Sequence, residues 1–306
     1  GVPSRSSCLT CHTPQAGGSL SFNIRQLNRQ GLIYGYGGNQ LSVLETAGYF
    51  SASPGDPKSL PRHVRPDEAI YSAEARARSY LAVNCAYCHR ADGTVAGAFW
   101  DGRHQLTLAQ TNLVNGPAIN NGGNAANRLV VPGDSAHSIV YNRVAVQNGF
   151  TRMPPLGSYV LDQTAIGLLA DWIADLGERP DYAAWRAAAF GDTTSAAGAE
   201  TADPDGDGQD NRSEFIAFTD PRDPASALRV DIAPAASGST VQVSFILPPD
   251  RAWMLETSSD LATWSPWTPA GADGVPRAAA TAISLGAPVP NAAAQRSFFR
   301  LRLSVP

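Results

Sequence analysis

The sequence predicts a multidomain chain, with a mainly α-helical region first and a small antiparallel β-sandwich last. Three observations carry this. Apolar residues recur at helical spacing through Ile70, Ala73, Ala77 and Leu81. They do so again through Ile166, Leu169, Ala170, Ile173 and Leu176, which places one apolar stripe on each helix. Beyond residue 227 the period changes to two, in Leu228-Arg229-Val230-Asp231-Ile232, Val241-Gln242-Val243-Ser244-Phe245 and Phe299-Arg300-Leu301-Arg302-Leu303. Clusters of Pro, Gly and Asp separate these runs, as antiparallel strands require. A length of 306 residues allows two or three compact domains.

Residues 1–62 form an N-terminal segment with little regular pattern. Short helices are expected at 22–29 and 40–50, the second with Leu41, Leu44 and Ala47-Gly48 on one side. Ser53-Pro54-Gly55-Asp56-Pro57 reads as a turn or linker. Residues 63–180 form a second region. Pro66-Asp67-Glu68 reads as a helix start, with proline in the first turn and acids beside the positive end of the dipole. A loop-rich stretch full of Gly and Asn runs from Gly93 to Asn127. After Arg152-Met153-Pro154-Pro155-Leu156, Asp162 is the expected N-cap of the last helix and Gly177 its expected end. Residues 181–226 form a connector with a short helix at 182–190, and residues 227–306 form the β-sandwich.

The chain has four cysteines, and all lie in two C-x-x-C-H motifs, Cys8-Leu9-Thr10-Cys11-His12 and Cys85-Ala86-Tyr87-Cys88-His89. This spacing is the attachment pattern of a c-type haem: the thiols form thioethers with the two vinyl groups and the adjacent His ligates the iron. Two covalent haems are expected, on Cys8, Cys11 and His12 and on Cys85, Cys88 and His89. A structural zinc site needs four ligands, no βαβ pattern suggests a thioredoxin-like redox site, and a disulfide between Cys8 and Cys11 is the alternative for the first motif. Met153 is the expected distal ligand of the second iron, its soft thioether raising the potential. Met254, in an expected strand, reads as core. The first iron has no evident distal ligand. His63, His104 and His137 are the candidates, and an open iron is the alternative. Helix, C-x-x-C-H, loops, Met-Pro-Pro and helix follow the order of a class I cytochrome c, so 63–180 is expected to be a cytochrome c-like haem domain and 1–62 a haem-binding segment.

The stretch from Asp203 to Glu214 matches D-x-[DN]-x-[DN]-G-x5-E at every fixed position. Asp203, Asp205 and Asp207 would supply carboxylates to Ca2+ and the Gln209 carbonyl a further oxygen. Asn211 would supply a ligand or water contact, Glu214 a bidentate carboxylate, and Gly208 the sharp turn. Asp220 and Asp223 are further candidates. No helix is evident before Asp203, so a structural ion that stiffens the connector is expected, not a helix-loop-helix sensor.

A net charge of −4 argues against nucleic-acid binding. No apolar run approaches the roughly 18 residues of a membrane span. The opening Gly1-Val2-Pro3-Ser4 lacks an apolar leader and reads as a processed terminus or a piece of a longer chain. Haem attachment to C-x-x-C-H implies a periplasmic or extracellular, bacterial location.

Several stretches resemble a family of bacterial secreted cytochrome c modules, which occur alone or fused to PQQ-dependent sugar-dehydrogenase-like domains. They are Cys8 to Thr13, Asn23-Ile24-Arg25-Gln26-Leu27-Asn28, Gly48-Tyr49-Phe50, Ala77 to Arg90, Val131-Pro132-Gly133-Asp134 and Met153 to Leu156. The resemblance covers about residues 4–178. It implies electron transfer from a redox partner, such as a dehydrogenase, to a further acceptor. The acidic loop resembles those of thrombospondin type 3 and dockerin-like modules. The tail, with Leu255 to Leu261 and Phe298 to Leu301, is similar to C-terminal β-sandwiches of large exported bacterial proteins. An electron-transfer protein, more than an enzyme, is therefore expected. The rivals are a dihaem peroxidase with an open first haem, and a binding or assembly module using the sandwich, where Trp253, Trp264 and Trp267 concentrate.

Overall fold

In the computed structural model, residues 4–305 are described apart from 10, 19, 21, 34, 91–99, 157, 235–239 and 289–295. The first part of the expected Gly- and Asn-rich loop, and Thr10 of the first motif, therefore lie outside the described residues. The chain divides into two units. One comprises residues 1–43, 62–69 and 73–179, the other 44–61, 70–72 and 180–306.

The expectation of a mainly α, class I cytochrome c-like fold is not met. The structure is only 28% helical, with 19% strand in three small antiparallel sheets. The physical reason is that most helices are one or two turns long, so loops and hairpins carry the rest. The helices are α1 (Arg5–Leu9), α2 (Ile24–Leu27), α3 (Gln40–Thr46), α4 (Ala73–Asn84), α5 (Ile139–Ala145), α6 (Gln163–Glu178), α7 (Tyr182–Phe190) and α8 (Asn211–Ala217). Among these, only α4 and α6 exceed ten residues.

In the first unit, α2 starts with a capping box: the Asn23 side chain accepts from Gln26 N–H, and the Gln26 side chain accepts from Asn23 N–H. The Gly- and Tyr-rich stretch forms a hairpin, β1 (Gln30–Ile33) with β2 (Tyr36–Asn39). α4 starts later than Pro66 suggested. Carboxylates occupy the turn before it: Glu68 accepts from Arg65 N–H and pairs with Arg62 at 3.0 Å. Ile70, counted in the apolar stripe, is instead 63% exposed. The core forms where α4 and α6 meet, with Ala77, Leu81, Trp100, Leu113, Leu129, Val130, Leu168, Leu169, Trp172 and Ile173. Glu74, fully buried on α4, is compensated by Arg179 at 2.6 Å. Asp162 caps α6 through Ala165 N–H. Gly177 does not end that helix. It lies inside it, because the Gly133 turn packs so close that an added Cβ would sit 2.6 Å from Gly133 Cα.

In the second unit the strands are β3 (Val230–Pro234), β4 (Thr240–Leu247), β5 (Ala252–Ser258), β6 (Ser265–Trp267), β7 (Thr281–Pro288) and β8 (Phe298–Ser304). They form two antiparallel three-stranded sheets, ordered β3-β4-β7 and β6-β5-β8. Inward residues of both sheets share one core, including Val243, Phe245, Leu247, Trp253, Leu255, Ile283 and Leu285. Phe245 and Trp253 meet edge to face at 5.4 Å. The alternation in β7, buried at every second residue, was not singled out in the sequence. α8 joins this sheet pair through Arg251, whose guanidinium donates to the Ile216 carbonyl and covers the Phe218 ring at 3.9 Å.

Candidate functional site

The second C-x-x-C-H leaves the C-terminal end of α4 in a helical turn. Cys88 N–H and His89 N–H both donate to the Cys85 carbonyl, at 3.1 and 2.9 Å. Cys85 packs against the α4–α6 core. Burial, then the neighbouring Cys88, push its thiol up to about 12. The His89 ring stacks on Trp100 at 4.6 Å. Burial, followed by the Arg143 charge, pushes its pKa down to about 4, so the imidazole is neutral, the form that ligates metal. Its Nδ1 is buried with no partner among the described residues. The chain returns to this turn through Gly102, whose N–H donates to the His89 carbonyl at 2.8 Å.

Met153 is anchored to the same surroundings, since its N–H donates to the Arg143 carbonyl at 3.1 Å. His89 and Met153 thus share Arg143 as a neighbour. Trp100 and Arg143 were not anticipated. Their part depends on chain return, and the local pattern carries no signal of it.

The first motif has a lighter setting. α1 ends at Leu9 and buries no residue. Cys11 N–H and His12 N–H donate to the Cys8 carbonyl, repeating the turn of the second motif. His12 Nδ1 lies 2.7 Å from the Gly18 carbonyl, a contact that holds the ring in one orientation. The segment meets the second motif through side chains. Burial, followed by the neighbouring Cys11 thiol, pushes the Cys88 thiol up to about 11. Arg90 donates to the Gln15 carbonyl at 2.5 Å, and the Gln26 amide donates to the Tyr87 hydroxyl at 3.3 Å.

Of the three candidate distal histidines, two come together. The rings of His63 and His104 meet at 5.0 Å. His63 N–H donates to the Arg25 carbonyl at 2.9 Å, and His104 Nε2 lies 3.4 Å from Ser79 Oγ. Burial is the main cause that pushes them down to about 4 and about 3. His137 sits elsewhere in the chain, with Nδ1 2.6 Å from Asp134 Oδ2.

In the acidic loop, Asp203, Asp205 and Asp207 bring carboxylate oxygens within 4.8 Å of one another. Asp203 accepts from Gly206 and Gly208 N–H, at 2.8 and 3.0 Å. Both glycines have positive φ, +76° and +94°, which a side chain would strain. Glu214, on the first turn of α8, is 0% exposed. Burial, then the charges of Asp205, Asp207 and Asp203, push it up to about 7. One oxygen each of Asp205, Asp207 and Glu214 is buried and has no hydrogen-bond partner among the described residues. This donor set of converging hard oxygens fits a divalent cation such as Ca2+. The Gln209 side chain pairs with Leu228, which leaves its backbone carbonyl, the expected ligand, untouched. The Asn211 side-chain NH2 donates to the carbonyls of Ala197 and Ala199, while its Oδ1 is buried without a hydrogen-bond partner among the described residues. Asp220 and Asp223 accept within their own turn.

Among the described residues, no helix is long and apolar enough to cross a membrane. Comparisons with protein-family models, with curated proteins and with solved structures return no match.

Proposed function

We propose that the chain is a dihaem c-type electron-transfer protein, exported from a bacterial cytoplasm, with a Ca2+-stiffened connector. The observation that carries this reading is the docking of the first C-x-x-C-H on the second. Residues 15 and 26 are tied to residues 90 and 87, and Cys11 neighbours Cys88. A short path between two centres is what a relay between a donor and an acceptor requires.

Cys8 and Cys11 would anchor one haem and Cys85 and Cys88 the other, with His12 and His89 as proximal ligands. Haem so bound supplies a one-electron iron centre at each motif. The chain's residues set how each centre is held. Trp100 fixes the plane of the His89 ring by stacking, and the surrounding core excludes water. The Arg143 carbonyl anchors Met153, while the charge of its guanidinium helps to keep His89 neutral. Met153, as a thioether ligand, favours the reduced iron and raises the potential of the second centre. Of the three candidate distal histidines, His63 and His104 lie together and are held neutral mainly by burial, and one of them would complete the first iron. That assignment favours electron transfer over the peroxidase reading, which needs an open site. The dehydrogenase as electron donor rests on the resemblance of residues 4–178 to secreted cytochrome modules.

Intact mass under denaturing conditions tests the proposal, because thioether-bound haem survives unfolding. Chain matured in a haem-attaching host is expected to carry two haems. One haem would reduce the molecule to a single-centre carrier, and none would overturn the reading.

A further inference from the structure

α8 ends in a reversal that brings the chain back onto the helix's own first turn. Phe218 takes the left-handed conformation, φ +59°, and its N–H donates to the Glu214 carbonyl. Such a position favours glycine. A Phe side chain is kept there by Arg251, which lies over its ring at 3.9 Å and donates to the Ile216 carbonyl. The reversal sets the next residue, Thr219, against Glu214 twice. Thr219 N–H donates to the Glu214 carbonyl at 3.1 Å, and Thr219 Oγ1 donates to Glu214 Oε1 at 3.3 Å. The other carboxylate oxygen, Oε2, is buried and has no hydrogen-bond partner among the described residues. An ionised carboxylate accepts on both oxygens. Here one oxygen is held by a neutral hydroxyl, and the other is left without a donor in a fully buried side chain.

We propose that Thr219 is a positioning residue for the cation site: its hydroxyl fixes the Glu214 carboxylate in the orientation that leaves Oε2 free for the ion. The inference rests on the cation reading of the acidic loop and goes beyond it, because Thr219 lies outside the D-x-[DN]-x-[DN]-G-x5-E pattern. A hydrogen bond to the rear of a metal ligand orders that ligand before the metal arrives, and losing it typically costs about 10–100-fold in affinity. Without the hydroxyl the Glu214 carboxylate is free to turn about its last bond, and binding has to supply the order that Thr219 supplies in advance.

The test uses the full chain, stripped of metal with a chelator and titrated with Ca2+ alone in a calorimeter. Thr219→Val keeps the β-branched shape and removes the hydroxyl. Thr219→Ser keeps the hydroxyl and removes the methyl. Thr219→Val is expected to weaken Ca2+ binding about tenfold or more, and Thr219→Ser to bind close to the parent. Equal affinity in Thr219→Val and the parent would overturn the proposal and leave the cation site standing. So would a Thr219→Ser chain as weak as Thr219→Val, since shape and not the hydroxyl would then be the cause. Thermal unfolding without the ion is read alongside. A Thr219→Val chain already unfolded at the titration temperature would make Thr219 a residue of the fold and would also overturn the proposal. A parent chain that takes up no Ca2+ would remove the cation reading itself, and this inference with it.

Discussion

The second C-x-x-C-H and the acidic loop both bury a group that a ligand would use, and they bury it in opposite ways. His89 is held by apolar contact. Trp100 stacks on it, its turn grows from a helix seated in the core, and burial keeps the ring uncharged. There the larger cause is burial, with the Arg143 charge second. Glu214 is buried among three other carboxylates, and its pKa of about 7 records both the burial and their repulsion. That site is strained by its own charge until a cation joins it. The contrast predicts that the first site responds to changes in packing and the second to ions.

The largest expected effect comes from removing the packing. Trp172 is fully buried where α6 meets α4. Trp172→Ala should cost the first unit about 3–5 kcal/mol through lost burial and a cavity. The stabilisation that Ca2+ gives the second unit should stay as in the parent chain. Calorimetry with and without the ion separates the two, and an equal loss of the ion response would break the contrast.

Ion binding comes next. With Ca2+ at a hundredfold excess over its dissociation constant, the second unit should gain about 2.7 kcal/mol. Glu214→Gln should remove most of that gain. It should also leave the ion-free chain no less stable than the parent, because the substitution removes a buried repulsive charge. A parent chain whose unfolding ignored Ca2+ would sink the cation reading of the loop.

The two sites are alike in how they could be read from sequence. Both motifs are contiguous, so spacing alone located Cys85 to His89 and Asp203 to Glu214. The Asp162 cap was equally local, and the helix it starts follows it directly. What escaped was everything set by chain return. Trp100 stacks on His89, Arg143 anchors Met153, and the first motif meets the second. Gly177 looked like a helix end because its use, close approach to Gly133, involves a distant partner. The helix expected at Pro66 failed for a related reason. Its acids serve Arg62 and Arg65, and residues 70–72 leave the first unit, with Tyr71 bridging to Arg277. The mainly α expectation generalised from two real helices to a region that is mostly loop and hairpin.

The smallest expected effect is on acidification, and it sharpens the contrast because it acts on the unit held by packing. His63 and His104 are pushed well below the usual imidazole range, mainly by burial, and each is further depressed by nearby cations. The groups facing the pair include Arg25 and Arg78, and Ser79 Oγ accompanies His104. The unfolded chain takes up protons near pH 6.5, whereas the folded chain resists until about pH 4 or below. The unfolded state therefore binds more protons throughout that window, and stability falls as pH falls through it. Both rings are partly exposed, which discounts the size of the effect to on the order of 2 kcal/mol between pH 7 and pH 4.5. The double substitution His63→Gln/His104→Gln should flatten this slope in the first unit, as read from urea unfolding at each pH. If the slope persisted unchanged, the neutral histidine pair would not be its source, and the acid response would have to lie with other groups.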